Sequence, residues 1–149
     1  MHGKQTLAII PAYNEEQNVG RVIESLKKHD PDLDIVVIDD GSRERTSEVA
    51  RTNGAIAIRL PHNLGIGGAV QTGLIYARDY RYQMAVQVDG DGQHKPEEIP
   101  TILTPVQNGE TDVAIGSRFL GTKSFRTTAL RRLGISIFKT VLFLAKQRI

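Results

Sequence analysis

Two carboxylates stand one residue apart in the segment VQVDGDGQHKPEE, which begins as an apolar run and ends as the start of a helix. Asp89, Asp91 and Gln93 occupy positions i, i+2 and i+4, so an extended backbone would direct all three side chains to the same side. Neighbouring carboxylates repel each other unless a cation or a shared proton compensates their charge. Oxygen ligands that leave coordination positions open suit Mg²⁺ or Mn²⁺ that also binds substrate phosphates. The spacing therefore favours a divalent-metal site, and the alternative is an ordinary Asp-Gly turn.

Two further polar segments, PAYNEE and DDGS, also follow apolar runs. In the first, Tyr13 offers a ring on which a flat base could stack. In the second, Asp40 could accept hydrogen bonds from a base or a ribose. Both segments also have purely structural interpretations. Asn14 is a candidate N-cap for the helix that follows it. Asp39, Asp40 and Ser42 could turn the chain and cap the next helix.

Apolar runs of strand length alternate with stretches of helical periodicity along the chain. The runs predict five strands, at residues 6–12, 34–40, 55–60, 83–92 and 112–118. The periodic stretches predict four helices, at residues 15–29, 43–54, 65–80 and 96–109. This alternation is typical of right-handed strand–helix–strand crossovers. These build an α/β fold with a mainly parallel sheet and helices on both faces.

The predicted sheet brings the three polar segments together. PAYNEE follows the first strand, DDGS the second and DGDGQH the fourth. Ligands of open parallel sheets bind beyond the carboxyl ends of the strands. We therefore expect one binding site, formed jointly by these three segments.

Several common classes of site are excluded by what the 149 residues lack. The chain has no cysteine, so a disulfide, a thiolate metal site and a cysteine nucleophile are all excluded. A dinucleotide site of the Rossmann type is excluded, because no G-x-G-x-x-G motif follows the first strand and the glycine-rich segment GIGGA at 65–69 lacks that spacing. The chain also has no P-loop motif and no G-x-S-x-G nucleophile elbow. The four histidines show no pairwise metal spacing. The opening residues MHGKQT show no signal-peptide pattern, so we expect a cytoplasmic domain.

Charge is distributed unevenly along the chain. Residues 1–112 carry 11 Lys and Arg against 17 Asp and Glu, a net charge of −6, whereas residues 113–149 carry 8 Lys and Arg and no acidic residue. The basic end favours an anionic partner such as a nucleic acid, a phosphate or a membrane surface. The alternative is a solvated basic end without a partner.

The end of the basic region, residues 126–149, predicts an amphipathic interface helix that follows a domain at residues 1–125. From residue 130 onward, five apolar residues fall on one helical face and three basic residues recur every seven positions on the opposite face: Leu130, Leu133, Ile137, Val141 and Leu144 against Arg132, Lys139 and Lys146. The apolar run is too short to span a bilayer. Such a helix suits the surface of an anionic bilayer. Alternatively, its apolar face packs on the domain or on a second subunit.

The order of PAYNEE, VVIDDGS, NLGIGGAVQTG, VDGDGQHKPEE and AIGSRF resembles that of the family 2 glycosyltransferases, which have the Rossmann-like GT-A fold. The likeness covers about residues 6–145 and points to the dolichyl-phosphate mannose and polyprenyl-phosphate glucose synthase branch. It implies a nucleotide-diphosphate sugar as donor, Mg²⁺ or Mn²⁺ as cofactor, and a polyprenyl or dolichyl phosphate as acceptor.

The resemblance also implies roles for residues of this chain. The nucleotide-sugar site would comprise Pro11, Ala12, Tyr13, Glu15, Asp40, Asp89, Gly90 and Asp91. The metal ligands would be Asp89, Asp91 and Gln93. Asp91 and Arg118 would act in catalysis, because a metal held by Asp91 and the arginine charge would both stabilise a departing diphosphate.

The acceptor is inferred from a group that the sequence lacks. An alcohol acceptor needs a general base, whereas a phosphate acceptor is already ionised at neutral pH. Asp112 is the last acidic residue, which favours a lipid phosphate if the chain is complete. Members of the family generally continue further, often into membrane helices.

Two other functions stay open at this point. The first is a polysaccharide-forming family 2 enzyme whose base lies beyond residue 149, and the second is a nucleotide-sugar binding module without catalysis. We expect the protein to lie in the cytoplasm at the cytoplasmic face of a membrane and to have no nucleic-acid partner. The C-terminal helix is a candidate contact for a homo-oligomer.

Binding of the chain to vesicles should require anionic lipid if the basic face of residues 130–149 meets a membrane. Replacing Arg132, Lys139 and Lys146 by Gln should reduce sedimentation with anionic vesicles, and added salt should do the same because it screens these charges. Equal sedimentation with neutral vesicles, or none with either kind, would remove the membrane role and leave a packing helix.

Overall fold

The computed structural model describes residues 6–117 of the chain. The chain divides into two units between Ala114 and Ile115, and every described helix and strand belongs to the first unit. Residues 115–117, which belong to the second unit, have no regular secondary structure. The predicted helix at 126–149 lies outside the described residues. Within the described part, no helix is long and apolar enough to cross a bilayer.

Four strands and four α-helices alternate along the described chain. The strands are β1 (Thr6–Ala12), β2 (Asp34–Asp39), β3 (Ile56–Arg59) and β4 (Met84–Gln87). The helices are α1 (Val19–His29), α2 (Thr46–Thr52), α3 (Gly65–Asp79) and α4 (Ile99–Gln107), and a 3₁₀ turn, Pro96–Glu98, precedes α4. The first four predicted strands and the four predicted helices are confirmed, most of them with shorter ends.

The four strands form one sheet in the order β3-β2-β1-β4, and every pair of neighbours is parallel. β1 is therefore an inner strand, paired with β2 on one side and β4 on the other. The parallel sheet predicted from the alternation of strands and helices is confirmed.

β1 is buried on both faces, because alternate side chains of a strand point to opposite sides of the sheet. Ala8 and Ile10 belong to a core cluster that includes residues of α1, α2 and α4. Leu7 and Ile9 belong to a second cluster that includes residues of α3. Helices thus cover both faces of the sheet, as predicted.

α1 has the apolar face that its periodicity predicts. Its buried apolar side chains are Val19, Val22, Ile23 and Leu26. The helix begins at Val19 rather than at residue 15, because the preceding residues form a turn in which the N–H groups of Asn18 and Val19 both donate to the Glu15 carbonyl.

Two predictions about strands are wrong. β4 ends at Gln87 rather than at residue 92, because the chain turns at Gly90 and Asp91. The predicted fifth strand has no strand structure over its described part, residues 112–117. Val113 in that segment is 71% exposed, so apolar residues alone did not produce a strand where no buried face is available to them.

α3 packs so closely on β1 that Gly73 has no room for a side chain, since a Cβ there would overlap the Ile9 side chain. Gly73→Ala should therefore lower the free energy of unfolding by about 1–3 kcal/mol through overpacking. Gly67→Ala is the matched control, because Gly67 lies in the same helix with open space around it. That change should raise the free energy of unfolding by up to about 1 kcal/mol, since alanine is the better helix former. Equilibrium unfolding in urea measures both, and equal effects would show that α3 is not tightly packed on β1.

Candidate functional site

A cavity of about 400 Å³ lies at the carboxyl end of the sheet and falls in the size range of small-molecule sites. Its walls are the segments that follow the four strands, together with the start of α3. The lining residues are Pro11, Ala12, Tyr13, Glu15, Asp40, Asn63, Gly65, Ile66, Ala69, Asp89, Gly90 and Asp91. We call this the strand-end cavity.

The structure brings together all eight residues that the resemblance assigns to the nucleotide-sugar site. Each of them lines the strand-end cavity: Pro11, Ala12, Tyr13, Glu15, Asp40, Asp89, Gly90 and Asp91. Their convergence follows from the parallel sheet, and their chemical roles stay predictions. Gln93 does not line the cavity, and Arg118 lies outside the described residues.

Reciprocal hydrogen bonds fix the PAYNEE loop to the loop that follows β2. The Asn14 N–H donates to Ser42 Oγ at 2.9 Å, and the Arg43 N–H donates back to Asn14 Oδ1 at 2.9 Å. The Glu16 N–H donates to Glu44 Oε1 at 2.8 Å. Asn14 has a φ of 56°, a left-handed conformation in which asparagine is enriched among non-glycine residues. The two loops therefore act as one unit.

This interlocking explains why the N-cap predictions are wrong. Asn18 is the N-cap of α1 and Arg45 is the N-cap of α2, and neither makes a side-chain cap hydrogen bond. The side-chain oxygens of Asn14 and Ser42 accept from the opposite loop instead of from a following helix. The polar side chains thus join two loops rather than starting two helices.

Asp39, the first aspartate of DDGS, is fully buried and holds its own loop together. Its Oδ1 accepts from the Ser42 N–H at 2.8 Å, its Oδ2 accepts from the Ser47 hydroxyl at 2.5 Å, and Arg59 Nε lies 3.9 Å from Oδ2. Burial raises the pKa of Asp39, but the hydrogen bonds from Ser42 and Ser47 and the Arg59 charge outweigh it, so the pKa lies below its ordinary value. Asp39 is therefore an ionised structural residue that does not line the cavity.

Asp40, the second aspartate of DDGS, lines the cavity and is only 3% exposed. Its Oδ1 accepts from the Leu64 N–H at 2.7 Å, and its Oδ2 accepts from the Gly65 N–H at 2.8 Å. Its own N–H donates to the Ala12 carbonyl at 2.8 Å. One side chain thus joins the ends of β1 and β2 to the start of α3.

The two aspartates of DGDG differ in how many partners they have. Asp89 Oδ1 accepts from Gln87 Nε2 at 3.0 Å, Asp89 Oδ2 lies 3.4 Å from His94 Nε2, and the Asp89 N–H donates to His94 Nδ1 at 3.1 Å. Asp91 Oδ1 accepts from the Gln93 N–H at 2.9 Å. Within the described part of the chain, Asp91 Oδ2 has neither a hydrogen bond nor an ion pair, so this oxygen is available to a ligand.

The prediction that one extended segment directs Asp89, Asp91 and Gln93 to the same side is wrong. The chain turns at Gly90, and Gly92 has a φ of 77°, which only glycine adopts readily. Alternation of side chains holds only for extended backbone, so it does not apply to this turn. The turn brings both carboxylates to the cavity and leaves Gln93 outside its lining.

The oxygen atoms at the DGDG turn suit a cation that takes part of its ligands from a phosphate. Among residues 6–117, no group of three or more His, Asp or Glu could hold a metal ion by itself. Mg²⁺, however, is usually bound by one or two carboxylates, with substrate phosphates and water completing its coordination. Asp89 and Asp91 fit that kind of site and not a structural metal site.

Four lining residues, Asn63, Gly65, Ile66 and Ala69, were not predicted for the site. All four come from the segment NLGIGGA, whose glycines do not match a dinucleotide motif. The feature of the sequence that could have identified them is a run of small residues at a helix start, because small residues leave space for a ligand near the backbone. Ile66 is 64% exposed at this edge of the cavity.

Comparisons of sequence relate the chain to known proteins. Residues 7–148 match the sequence model of a family described as glycosyl transferase family 2. A UDP-N-acetylglucosamine–dolichyl-phosphate N-acetylglucosaminyltransferase of Methanococcus voltae is 33% identical over 95% of this chain and 64% of that protein. A polyprenol monophosphomannose synthase of Mycolicibacterium smegmatis is 33% identical over 89% of this chain and 52% of that protein. The chain therefore spans between about half and two thirds of the length of these relatives.

Comparison of structure gives a consistent result. The crystal structure of glucosyl-3-phosphoglycerate synthase from Mycobacterium tuberculosis, in complex with Mn²⁺ and UDP-glucose, is similar with a TM-score of 0.58 at 26% identity. The similarity covers 72% of this chain and 41% of that one. It confirms the predicted GT-A-like α/β fold.

Proposed function

Because the chain belongs to glycosyl transferase family 2, we propose that it transfers a sugar from a nucleotide-diphosphate sugar to a polyprenyl or dolichyl phosphate, with Mg²⁺ or Mn²⁺ as cofactor. The observation that supports this most is the convergence of Tyr13, Asp40 and Asp91 in one cavity at the carboxyl end of a parallel sheet. The names of two similar proteins include dolichyl-phosphate and polyprenol acceptors. A similar structure holds Mn²⁺ and UDP-glucose.

The nucleoside would bind at the β1 and β2 side of the strand-end cavity. Tyr13 lies just after β1 and is 42% exposed, so its ring is accessible to a base. Stacking of aromatic groups contributes about 1 kcal/mol beyond the area it buries. The Asp40 carboxylate lies in the same wall, where its oxygens keep lone pairs for a ribose hydroxyl.

The diphosphate would lie beside the DGDG turn. Asp91 has a carboxylate oxygen without a protein partner in the described part of the chain, and it would be the direct ligand of the cation. Asp89 is already engaged by Gln87 and His94, so it would act mainly through water or the ribose. A bound divalent cation supplies Lewis-acid stabilisation of the negative charge on a departing diphosphate.

The residues of the cavity bind and orient the donor rather than move protons. Breaking the bond to the diphosphate leaves positive character on the anomeric carbon, which the acceptor oxygen then attacks. A phosphate acceptor is ionised at neutral pH, so the reaction requires no general base from the protein. This agrees with the carboxylates that line the cavity. Asp40 is held by backbone N–H groups, Glu15 accepts from Asn18 Nδ2 at 2.8 Å, and Asp89 and Asp91 lie at the DGDG turn, where the cation would bind.

Radioactive sugar should pass from a nucleotide sugar into an organic-soluble product when the chain is incubated with polyprenyl phosphate and Mn²⁺. UDP-, GDP- and dTDP-sugars are tested in parallel, because the residues of the cavity do not select the base. Asp91→Asn should reduce transfer by about a hundredfold. An amide is a weaker ligand than a carboxylate for the cation that would stabilise the negative charge on the departing diphosphate.

Asp32→Asn is the matched control, because Asp32 is an exposed aspartate before β2 and its variant should transfer like the wild type. Equal transfer by Asp91→Asn and the wild type would contradict the role of Asp91. Donor binding without transfer would contradict the proposed reaction and favour a binding module. Label in a water-soluble glycan would favour a polysaccharide-forming enzyme.

A further inference from the structure

α3 begins without a cap of its own. Its N-cap residue is Leu64, which makes no side-chain cap hydrogen bond, and its first turn contains no acidic residue. The first N–H groups of a helix have no partner within the helix. Three of the first four residues of α3 are glycines, which form helix poorly. The start of α3 therefore depends on groups from outside the helix.

Asp40 supplies those groups from the end of β2. Its two carboxylate oxygens accept from two successive N–H groups, those of Leu64 and Gly65, at 2.7 and 2.8 Å. A carboxylate at this end of a helix is also favoured by the helix dipole. Asp40 is nearly completely buried, and its backbone is fixed to β1 through the Ala12 carbonyl. The start of α3 is thus attached to the sheet by one rigidly held side chain.

Gly41 shows how closely the two segments approach each other. It has a φ of 75°, and a Cβ at this position would lie 2.8 Å from the His62 carbonyl carbon and 2.9 Å from the Asn63 nitrogen. Distances below 3.0 Å are too short for any side chain. The backbone that leads into α3 therefore rests directly on the DDGS turn, beside the Asp40 carboxylate.

The segment held in this way is one wall of the strand-end cavity. Asn63, Gly65, Ile66 and Ala69 all line the cavity. We propose that Asp40, besides facing the ribose, is a positioning residue that caps α3 from the neighbouring strand and thereby fixes the wall against which the donor binds. The identity of the ligand in this inference rests on the proposed function, whereas the capping does not.

Asp40→Asn tests the inference, because an amide keeps one acceptor oxygen and places an N–H₂ group against the second backbone donor. Hydrogen exchange at the Leu64 amide should become about tenfold faster when the new N–H₂ group faces it, as expected for the loss of one hydrogen bond. The rise at the Gly65 amide should be smaller, because the Gly65 N–H also donates to Asn63 Oδ1 at 3.0 Å. Protection of Ile9 and Val37 in the inner strands should stay as in the wild type and shows that the variant is folded. Affinity for UDP, GDP and dTDP should fall several-fold and to a similar extent for all three.

Unchanged exchange at Leu64 and Gly65, with a loss of affinity for one nucleotide only, would overturn the inference and make Asp40 a direct reader of the base.

A second measurement needs no substitution. In the wild type, NMR couplings across the hydrogen bonds should connect the Leu64 and Gly65 nitrogens to the Asp40 side-chain carboxyl carbon, and they should persist when UDP binds. Loss of these couplings on binding would also overturn the inference. If no nucleotide binds while the couplings and exchange behave as described, the proposed function fails and the capping stands.

Discussion

The pairing of β1 with β2 on one side and with β4 on the other constrains every part of the candidate site. The register places Ala12 beside Asp39 and Ile9 beside Gln87, so the loops after all three strands begin at the same edge of the sheet. β1 is buried on both faces, and a shift of one residue would exchange the side chains that face the two core clusters. The chemistry at the strand ends therefore depends on apolar side chains that contact no ligand.

The loops at this edge are irregular, and their backbone N–H groups need acceptors that a helix or strand would otherwise supply. Side chains provide them: Asn14 accepts from Arg43, Asp39 from Ser42, and Asp40 from Leu64 and Gly65. In the described part of the chain, no buried side-chain nitrogen or oxygen lacks a hydrogen-bond partner. The two aspartates of DDGS thus have different structural roles, since Asp39 stabilises its own loop and Asp40 connects the sheet to α3.

Features that follow from local periodicity could be predicted from the sequence. The apolar face of α1 and the alternation of strands with helices determine a parallel sheet, and the sheet determines that PAYNEE, DDGS and DGDG converge. Features that depend on distant partners could not. Asn14 has the composition of an N-cap, yet its oxygen accepts from a residue 29 positions away. Extended backbone was assumed for DGDG, but glycine permits the turn that the chain adopts there.

The wall formed by residues 63–69 was missed for a related reason. Its glycines do not match a dinucleotide motif, and its contribution to the cavity depends on Asp40, which lies more than 20 positions earlier in the sequence. Local patterns identify the elements of this site, whereas the long-range hydrogen bonds decide which faces of those elements meet the ligand. Such bonds follow from the tertiary structure and have no signature in a single segment.

Paramagnetic broadening by Mn²⁺ tests most directly whether the strand-end cavity binds a metal-bound nucleoside diphosphate. Substoichiometric Mn²⁺ is added to the ¹⁵N-labelled chain, with and without UDP or GDP, and the backbone amide signals are followed. Because the cation is expected to take ligands from both the carboxylates and the diphosphate, the amides of Ala12, Asp91 and Gly92 should broaden first, and only when the nucleotide is present. The amides of Leu33 and Tyr80, which precede β2 and β4 at the opposite end of the sheet, should keep their linewidths. Broadening centred on Leu33 or Tyr80, or none near the DGDG turn at saturating nucleotide, would contradict a metal-dependent donor site at the carboxyl end of this sheet.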